Sequence, residues 1–200
     1  GGEPAGDLPP GLVPLSPLMA EAEPIREWPE AAPEDVALLQ YTGGTTGLPK
    51  GAMLTHGNLT AAVSIYQHWD DGERMVPGEQ RVIGVLPLFH IYALTTVLLR
   101  HLADGNEVLL RPRFEAGAVL RDIAEHRVTL MTGVPTMWIA LLNHPDAAET
   151  DFSSLHACVS GGAPLPHEIG QRVERLFGQR LRIGWGMTET GPAGTRVPVA

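Results

Sequence analysis

One Gly- and Thr-rich stretch of the sequence has the composition of an anion-binding loop. Residues 41–51 read YTGGTTGLPKG, in which Thr42, Thr45 and Thr46 precede Lys50. Glycines let backbone amides come close to phosphate oxygens, and threonine hydroxyls and a lysine ammonium group add donors and positive charge. The stretch follows an apolar run and precedes a helical pattern, where phosphate loops are commonly found. We therefore predict that it binds phosphate, with an ordinary turn as the alternative.

The end of this stretch excludes the Walker A loop that its composition suggests. A Walker A loop needs Gly-Lys-Ser/Thr, whereas Lys50 lies between Pro49 and Gly51. Three other patterns also fail. CVSGG lacks the first glycine of a nucleophile elbow, HEIGQ lacks the second histidine of a zinc helix, and GWGMTE lacks the third glycine of a dinucleotide fingerprint. These failures argue against a hydrolase, a metalloprotease and a dehydrogenase.

A second stretch, GWGMTET at residues 184–190, carries groups that suit a nucleotide. Trp185 offers an aromatic face for a base, Thr188 a hydroxyl for a phosphate, and Glu189 a carboxylate for magnesium. The small residues of SGGAPL, at 160–165, leave room for a planar ring beside the backbone. For Trp185 alone, packing in the core is the alternative interpretation.

His90 lies in the stretch PLFHIY, beside Phe89 and Tyr92 and directly after a predicted strand. At that position it can contact an anionic substrate or line a channel, with a structural role as the alternative. The other histidines show no metal-binding spacing. The single cysteine, Cys158, lies in an apolar run and is predicted to be buried without a chemical role.

The four stretches each follow a strand in a chain that alternates strand and helix patterns. The predicted strands cover residues 36–42, 81–87, 106–112, 128–134, 155–162 and 180–186, and the predicted helices cover 55–69, 91–105, 115–127, 135–144 and 165–178. This alternation predicts an α/β fold, a mostly parallel sheet with helices on both faces. Ligands bind at the carboxyl ends of such strands, so we expect the four stretches to meet at one edge. Thr55 or Asn58 is expected to cap the first of these helices.

Residues 1–33 differ in composition from the rest of the chain. They hold 8 of the 18 prolines and show little apolar periodicity. We therefore expect an irregular Pro/Gly-rich connector at 1–33 and the folded domain at 34–200.

The charge balance limits the partners of the protein. There are 23 acidic and 14 basic residues, a net charge of −9, which argues against a nucleic-acid-binding surface. The sequence shows neither a signal-peptide pattern nor an apolar run long enough to span a membrane. We expect a cytoplasmic protein without a transmembrane segment, for which peripheral association with a membrane stays open.

The four stretches resemble, in the same order, signatures of the adenylate-forming (AMP-binding) superfamily, in which they would form part of the large domain. LLQYTGGTTG, TGVPT and DFSSL are most similar to bacterial long-chain fatty-acyl-CoA synthetases, and LPLFHIYAL also resembles the plant-type hydroxycinnamate ligases. The resemblance implies that ATP reacts with a carboxylic acid, most simply a fatty acid, to form an acyl-adenylate in the presence of Mg²⁺. Coenzyme A then displaces AMP.

The resemblance also implies roles for individual residues. The residues that would hold the β- and γ-phosphates are Thr42, Gly43, Gly44, Thr45, Thr46, Gly47 and Lys50. Those that would hold the adenine and the α-phosphate are Gly162, Ala163, Pro164, Gly184, Trp185, Gly186, Met187 and Thr188. Glu189 would bind the magnesium ion, and His90, Tyr92, Val134 and Pro135 would lie near the acid and its acyl chain. The residues expected to act in the reaction itself are Lys50, His90, Thr188 and Glu189.

One position departs from the family pattern, and several family features are expected elsewhere. The family usually has Tyr or Phe where this chain has Trp185, which keeps the aromatic face but not a hydroxyl contact. In the family, an aspartate that holds the ribose, a hinge and a small domain with a lysine for adenylation follow the region that ends here at Ala200. Residues 34–200 are therefore expected to be a partial AMP-binding domain that is inactive by itself.

Three other functions share these signatures. An acyl-AMP ligase or a carrier-protein-loading adenylation domain would pass the acyl group to another thiol, and an aryl-acid CoA ligase would differ in its acid. The last alternative belongs to a different functional class: a fragment that binds a nucleotide but has no catalytic activity.

Overall fold

The computed structural model describes residue 9 and residues 11–42, 49–69 and 75–196. The chain divides into two compact units, with the boundary between Ala31 and Ala32. In the first unit, one short helix, α1 (Leu15–Glu21), interrupts the segment expected to be irregular, and none of its residues is buried. No other helix or strand occurs among the described residues before Val36.

The second unit contains the strands and the remaining helices. The strands are β1 (Val36–Thr42), β2 (Lys50–Thr55), β3 (Arg81–Gly84), β4 (Glu107–Leu110), β5 (Leu130–Gly133), β6 (Ala157–Ser160), β7 (Leu181–Trp185) and β8 (Thr195–Arg196). The helices are α2 (His56–His68), α3 (Ile91–Ala93), α4 (Arg100–Ala103), α5 (Ala116–Glu125), α6 (Pro135–Leu142) and α7 (His167–Phe177). A π-helical segment (Leu94–Leu99) joins α3 to α4, and 3₁₀ turns lie at Pro145–Ala148 and Thr188–Thr190.

Six strands form one sheet in the order β4-β3-β5-β6-β7-β8. All neighbours in it are parallel except β7 and β8, which pair antiparallel. The predicted α/β fold with a mostly parallel sheet is therefore confirmed. The parallel strands leave their carboxyl ends at one edge, where the loops after β5, β6 and β7 meet.

The first strand does not join this sheet, contrary to the expected strand series. β1 pairs antiparallel with β2 in a separate hairpin, with Thr42 opposite Lys50. Strand β2 was not predicted, because KGAMLT buries only Leu54 and lacks a clear period of two. The Gly- and Thr-rich stretch thus connects two antiparallel strands rather than a strand and a helix.

Helices cover both faces of the sheet, as the alternation predicted. Neighbouring residues of a strand point to opposite faces. In β3, Ile83 belongs to the core formed with α5, α6 and α7, whereas Val82 packs with Val97 of the π-helical segment. The larger core also contains a stacked pair, Phe152 and Phe177, with ring centroids 4.1 Å apart.

Local sequence signals determine the start of α2. The Thr55 hydroxyl accepts a hydrogen bond from the Asn58 backbone amide (3.1 Å), and the Asn58 side chain accepts one from the Thr55 amide (3.0 Å). Both expected capping residues therefore act together in a capping box. Within the described ranges, no helix is long and apolar enough to cross a membrane.

Candidate functional site

A cleft of about 450 Å³ opens at the carboxyl ends of the parallel strands. Its walls come from the β1–β2 hairpin, the loop before α3, the ends of β5, β6 and β7, and the turn that follows β7. Its volume lies in the range of sites for nucleotides and other small molecules. The placement agrees with the rule that ligands of such sheets bind beyond the carboxyl ends of the strands.

The cleft brings together many of the residues singled out from the sequence. The residues of the expected site that line it are Thr42, His90, Tyr92, Gly162, Gly184, Trp185, Gly186, Met187, Thr188 and Glu189. Residues His90 and Thr188 are far apart in sequence, so only the tertiary fold can bring them to one cavity. Gly43, Gly44, Thr45, Thr46 and Gly47 lie outside the described residues.

Five further residues of the expected site do not line the cleft. They are Lys50, Val134, Pro135, Ala163 and Pro164. Pro135 is the first residue of α6 and is buried. Val134 lies behind the lining, because a Cβ added at Gly162 would be 3.5 Å from its Cγ1. Lys50 begins β2 with an exposed side chain.

The base-stacking candidate, Trp185, is 60% exposed at the end of β7. This exposure excludes the alternative in which Trp185 packs in the core. It pairs with Thr195 of β8, so the two short strands hold the indole at the cleft. The next residue, Gly186, has no room for a side chain, because an added Cβ would lie 1.6 Å from the carbonyl oxygen of Pro192. The backbone of the turn after β7 therefore packs directly against the backbone of Pro192, which requires a glycine at position 186.

The turn at Thr188–Thr190 presents the phosphate and metal candidates. The Thr190 hydroxyl donates to the Met187 carbonyl (2.9 Å) and accepts from the Met187 amide (3.2 Å), which closes the turn. Thr188 and Glu189 line the cleft from this turn. No group of three His, Cys, Asp or Glu residues that could hold a metal occurs among the described residues. The single carboxylate of Glu189 is nevertheless compatible with Mg²⁺, which is commonly bound by one or two carboxylates together with substrate phosphates.

His90 is held in a defined orientation in front of α3. Its Nδ1 accepts a hydrogen bond from the Tyr92 backbone amide (3.2 Å), so in the neutral ring the proton lies on Nε2. The preceding residue, Phe89, accepts a hydrogen bond from the Gln40 side chain at its carbonyl (3.0 Å). The Nε2–H group can therefore act as a donor to an anion in the cleft.

Several residues that line the cleft were missed in the sequence. They are Gln40, Tyr66, Trp69, Thr96, Thr132, Arg100 and Arg196. The sequence contained one signal for two of them. Thr96 and Arg100 follow Tyr92, an expected site residue, at intervals of four residues, and such a spacing places side chains on one face of a helix. The helix includes a π-helical segment, in which the Arg100 amide donates to the Thr95 carbonyl. Such segments often occur at functional sites.

Burial changes the acidity of two phenols in the cleft. Burial raises the pKa of Tyr66 to about 12, although the guanidinium groups of Arg196 and Arg100 oppose the shift. Burial also raises the pKa of Tyr92, with Tyr66 adding to the shift and Arg196 opposing it. Both phenols are therefore protonated at neutral pH and are hydrogen-bond donors.

Comparison with known proteins agrees with this fold. The chain matches the AMP-binding enzyme family over residues 10–199 and belongs to that family.

Among its relatives, the chain is 42% identical to a long-chain-fatty-acid–CoA ligase of Bacillus subtilis (strain 168), over 82% of this chain and 29% of that protein. It is 41% identical to 4-coumarate–CoA ligase 3 of Arabidopsis thaliana, over 92% of this chain and 33% of that protein. The chain thus spans about a third of the length of these curated relatives.

Solved structures give the same picture. The N-terminal domain of FACL13 from Mycobacterium tuberculosis, bound to an inhibitor, superposes with a TM-score of 0.82 at 29% identity, covering 91% of this chain and 44% of that one. The O-succinylbenzoate coenzyme A synthetase of Bacillus subtilis, in complex with AMP, gives a TM-score of 0.78 at 32% identity, covering 93% of this chain and 46% of that one.

Proposed function

We propose that this chain is the nucleotide-binding part of an ATP-dependent CoA ligase that acts on a fatty acid. A carboxylate oxygen attacks the α-phosphorus of ATP, the bond from that phosphorus to the bridging oxygen of the β-phosphate breaks, and pyrophosphate leaves. The thiol of coenzyme A then attacks the acyl-adenylate and AMP leaves. One observation carries the proposal: the cleft joins Trp185, Thr188 and Glu189 with His90 at the carboxyl ends of the strands.

The nucleotide would lie between the turn after β7 and the loop after β6. Trp185 would stack on the adenine, and Gly162 would line the opposite wall. Ala163 and Pro164 would support that wall from outside the lining. Thr188 would donate to the α-phosphate. Gly184, Gly186 and Met187 would supply backbone around it. A magnesium ion held by Glu189 would neutralise phosphate charge. The AMP complex of the Bacillus subtilis synthetase, at a TM-score of 0.78, supports this assignment.

The β1–β2 hairpin would hold the β- and γ-phosphates. Its two ends are held together, because Thr42 pairs with Lys50 and the Thr42 hydroxyl donates to the Lys50 carbonyl (3.2 Å). Lys50 is the single lysine of the chain, so it is the one ammonium side chain available here for the leaving pyrophosphate. Gly43, Gly44, Thr45, Thr46 and Gly47 would add amide and hydroxyl donors between these two positions.

The acid would bind from the side of His90. The Nε2–H of His90 would donate to the carboxylate and orient it for attack, which contributes positioning rather than a protein nucleophile. Tyr92, Val134 and Pro135 would lie along the acyl group, with Val134 behind Gly162 rather than in the lining. The Bacillus subtilis relative supports a fatty acid. The Arabidopsis relative and the two phenol rings in the cleft support an aryl acid as the second candidate.

The test is pyrophosphate exchange with a full-length protein that contains this chain. We expect ³²P from pyrophosphate to enter ATP only when an acid is present, with hexadecanoate, octanoate and 4-coumarate compared. AMP release should then require coenzyme A. Nucleotide binding without acid-dependent exchange would instead define a non-catalytic nucleotide-binding protein. If exchange occurs but the release of AMP does not depend on coenzyme A, the protein is an acyl-AMP ligase or a carrier-protein-loading domain.

A further inference from the structure

The indole of Trp185 lies directly against a glycine of the segment that leads into β8. A Cβ added at Gly194 would lie 2.7 Å from Cε3 and 3.0 Å from Cζ3 of the indole. Contact between two carbon atoms is optimal at about 3.5–4.0 Å, so neither distance leaves room for a methyl group. The six-membered ring of the indole therefore occupies the space that any side chain at position 194 would need.

This contact supports the indole without covering it. Trp185 lines the cleft and is 60% exposed, although Cε3 and Cζ3 pack against Gly194. Ordering a mobile side chain costs free energy when a ligand binds, and a side chain that is already held in its binding orientation avoids part of that cost. The contact with Gly194 can thus prepare the indole for a ligand that stacks on it.

The strand pair determines where Gly194 lies relative to the ring. Trp185 is paired with Thr195, which directly follows Gly194, in the antiparallel ladder of β7 and β8. Arg196 of β8 also donates a hydrogen bond to the Trp69 carbonyl (3.4 Å), which attaches β8 to the end of α2. The glycine is therefore held beside the indole by backbone pairing and by a contact to a second element.

A side chain at position 194 would meet two different groups of Trp185. Besides the ring, its Cβ would approach the Trp185 carbonyl oxygen to 2.4 Å. The carbonyl contact exists whichever side chain stands at position 185, whereas the ring contact needs an indole. Phenylalanine has a single ring without the atoms that correspond to Cε3 and Cζ3. The two effects can therefore be separated by changing the ring.

We propose that Gly194 is a positioning residue of the nucleotide site. Because it has no side chain, the indole of Trp185 can lie against β8 in the orientation that receives the base. Gly194 does not itself line the cleft, so it acts through Trp185. This inference rests on the proposed function, because it takes the part of the cleft beside Trp185 to hold the adenine of ATP.

The test is a double-mutant cycle in the full-length protein that contains this chain. It compares the unsubstituted protein with Gly194→Ala, Trp185→Phe and the double variant. Isothermal titration calorimetry measures the binding of AMP. We expect Gly194→Ala to weaken AMP binding by at least about fivefold when the indole is present, because the displaced ring no longer stacks on the base. When position 185 carries phenylalanine, the same change should weaken AMP binding by less than about twofold.

Two controls separate stacking from other effects. Inorganic pyrophosphate has no base, so it should bind all four proteins with the same affinity. Gly170→Ala also adds a methyl group to a glycine, but that group would meet only Leu165 at 3.9 Å. It should therefore leave the affinity for AMP unchanged.

Urea unfolding of the four proteins measures the contact in the absence of ligand. The approach to the Trp185 carbonyl should destabilise Gly194→Ala by the same amount with either ring, and the clash with the indole should add to this loss only when the indole is present. If Gly194→Ala does not fold with the indole present, Trp185→Phe must restore folding.

Two results would overturn the inference alone. One is an equal loss of AMP affinity, or of folding, with either ring at position 185, and the other is an unchanged AMP affinity in Gly194→Ala. The proposed function alone would fail if the two positions are coupled in AMP binding but no acid supports pyrophosphate exchange. If the unsubstituted protein does not bind AMP, both are overturned.

Discussion

The side-chain amide of Gln40 donates a hydrogen bond of 3.0 Å to the carbonyl of Phe89, which lies 49 positions later in the chain. Gln40 belongs to the β1–β2 hairpin, and Phe89 immediately precedes His90. The hydrogen bond therefore joins the proposed phosphate-holding hairpin to the loop that presents the proposed carboxylate ligand. Neither local sequence pattern indicates this connection.

Gln40→Leu is expected to impair acid binding more than ATP binding. Loss of a hydrogen bond of about 1 kcal/mol would loosen the His90 loop and raise the KM for the acid about fivefold. Gln171→Leu, on the exposed side of α7, is the matched control. Steady-state kinetics of the full-length protein measure the effect. An equal increase of KM for ATP and acid would contradict a role in positioning His90.

Trp185→Ala is expected to weaken nucleotide binding without unfolding the protein. Stacking of a base on an aromatic ring contributes roughly 1–3 kcal/mol, so AMP affinity should fall by at least about fivefold, and Trp185→Phe should restore most of it. The thermal midpoint should change little because the side chain is 60% exposed. Trp28→Ala, at a site 78% exposed, is the control for removal of a surface indole. Unchanged AMP affinity in Trp185→Ala would exclude the stacking role.

Gly186→Ala and Gly170→Ala are expected to change stability in opposite directions. At Gly186 the new methyl group would lie 1.6 Å from the Pro192 carbonyl oxygen, so the turn after β7 must move. At Gly170, inside α7, it would meet only Leu165 at 3.9 Å. Alanine there should stabilise the fold by about 0.5–1 kcal/mol through helix propensity. Urea unfolding measures both, and stabilisation by both variants would show that the turn after β7 relaxes freely.

His101 is expected to make the fold less stable as the solution becomes mildly acidic. Burial, assisted by Arg100, lowers the pKa of His101 to about 3, and its Nδ1 lies 3.0 Å from the Asn106 side-chain amide. Below pH 6.5 the unfolded chain protonates this histidine while the folded protein keeps it neutral. The free energy of unfolding should therefore decrease by up to about 1.4 kcal/mol per pH unit below pH 6.5.

Urea unfolding between pH 7.5 and 5.0 measures this dependence before the carboxylates titrate. His101→Gln keeps a polar side chain without a titrating ring, so it should lower stability at pH 7.5 and flatten the slope. The same slope in both proteins would assign the pH dependence to other groups.

Lys50 can be followed chemically because it is the single lysine of the chain. Its side chain is exposed at the start of β2, so an amine-acylating reagent should modify it readily in the absence of ligand. If Lys50 contacts the β- and γ-phosphates, ATP or pyrophosphate should protect it and AMP should not. Peptide mass spectrometry of this chain gives the rate of modification. Equal rates with all three ligands would remove Lys50 from the phosphate site.

The elements that could be predicted from the sequence are those whose signals are local. The capping box of Thr55 and Asn58 depends on residues three apart. The apolar periods of the strands and helices identified the parallel sheet, because strands covered on both faces have few polar residues. The position of β1 could not be predicted, since a strand's partner depends on distant contacts and β1 itself buries no residue fully.

The candidate site was predictable only where a motif marks it. Trp185, Thr188 and Glu189 lie in one short polar stretch, and His90 follows a strand. The rest of the cleft lining has no such stretch. Tyr66, Arg100 and Arg196 come from different elements and meet only through tertiary packing. Spacing within one helix links Tyr92 to Arg100, but nothing local indicates which side of that helix faces a cavity.

The π-helical segment absorbs one residue in the helical wall of the cleft. A π-helical turn holds one residue more than an α-helical turn, and here it separates Tyr92 from Arg100. Deleting one residue within Leu94–Leu99 would allow an α-helix to form, and the arginine would then follow Tyr92 by seven residues, which is about two α-helical turns. Its guanidinium group would therefore keep its side of the helix and still line the cavity. The wall thus tolerates the loss of one residue at this place, whereas a deletion elsewhere in the helix would rotate everything that follows it by about 100°.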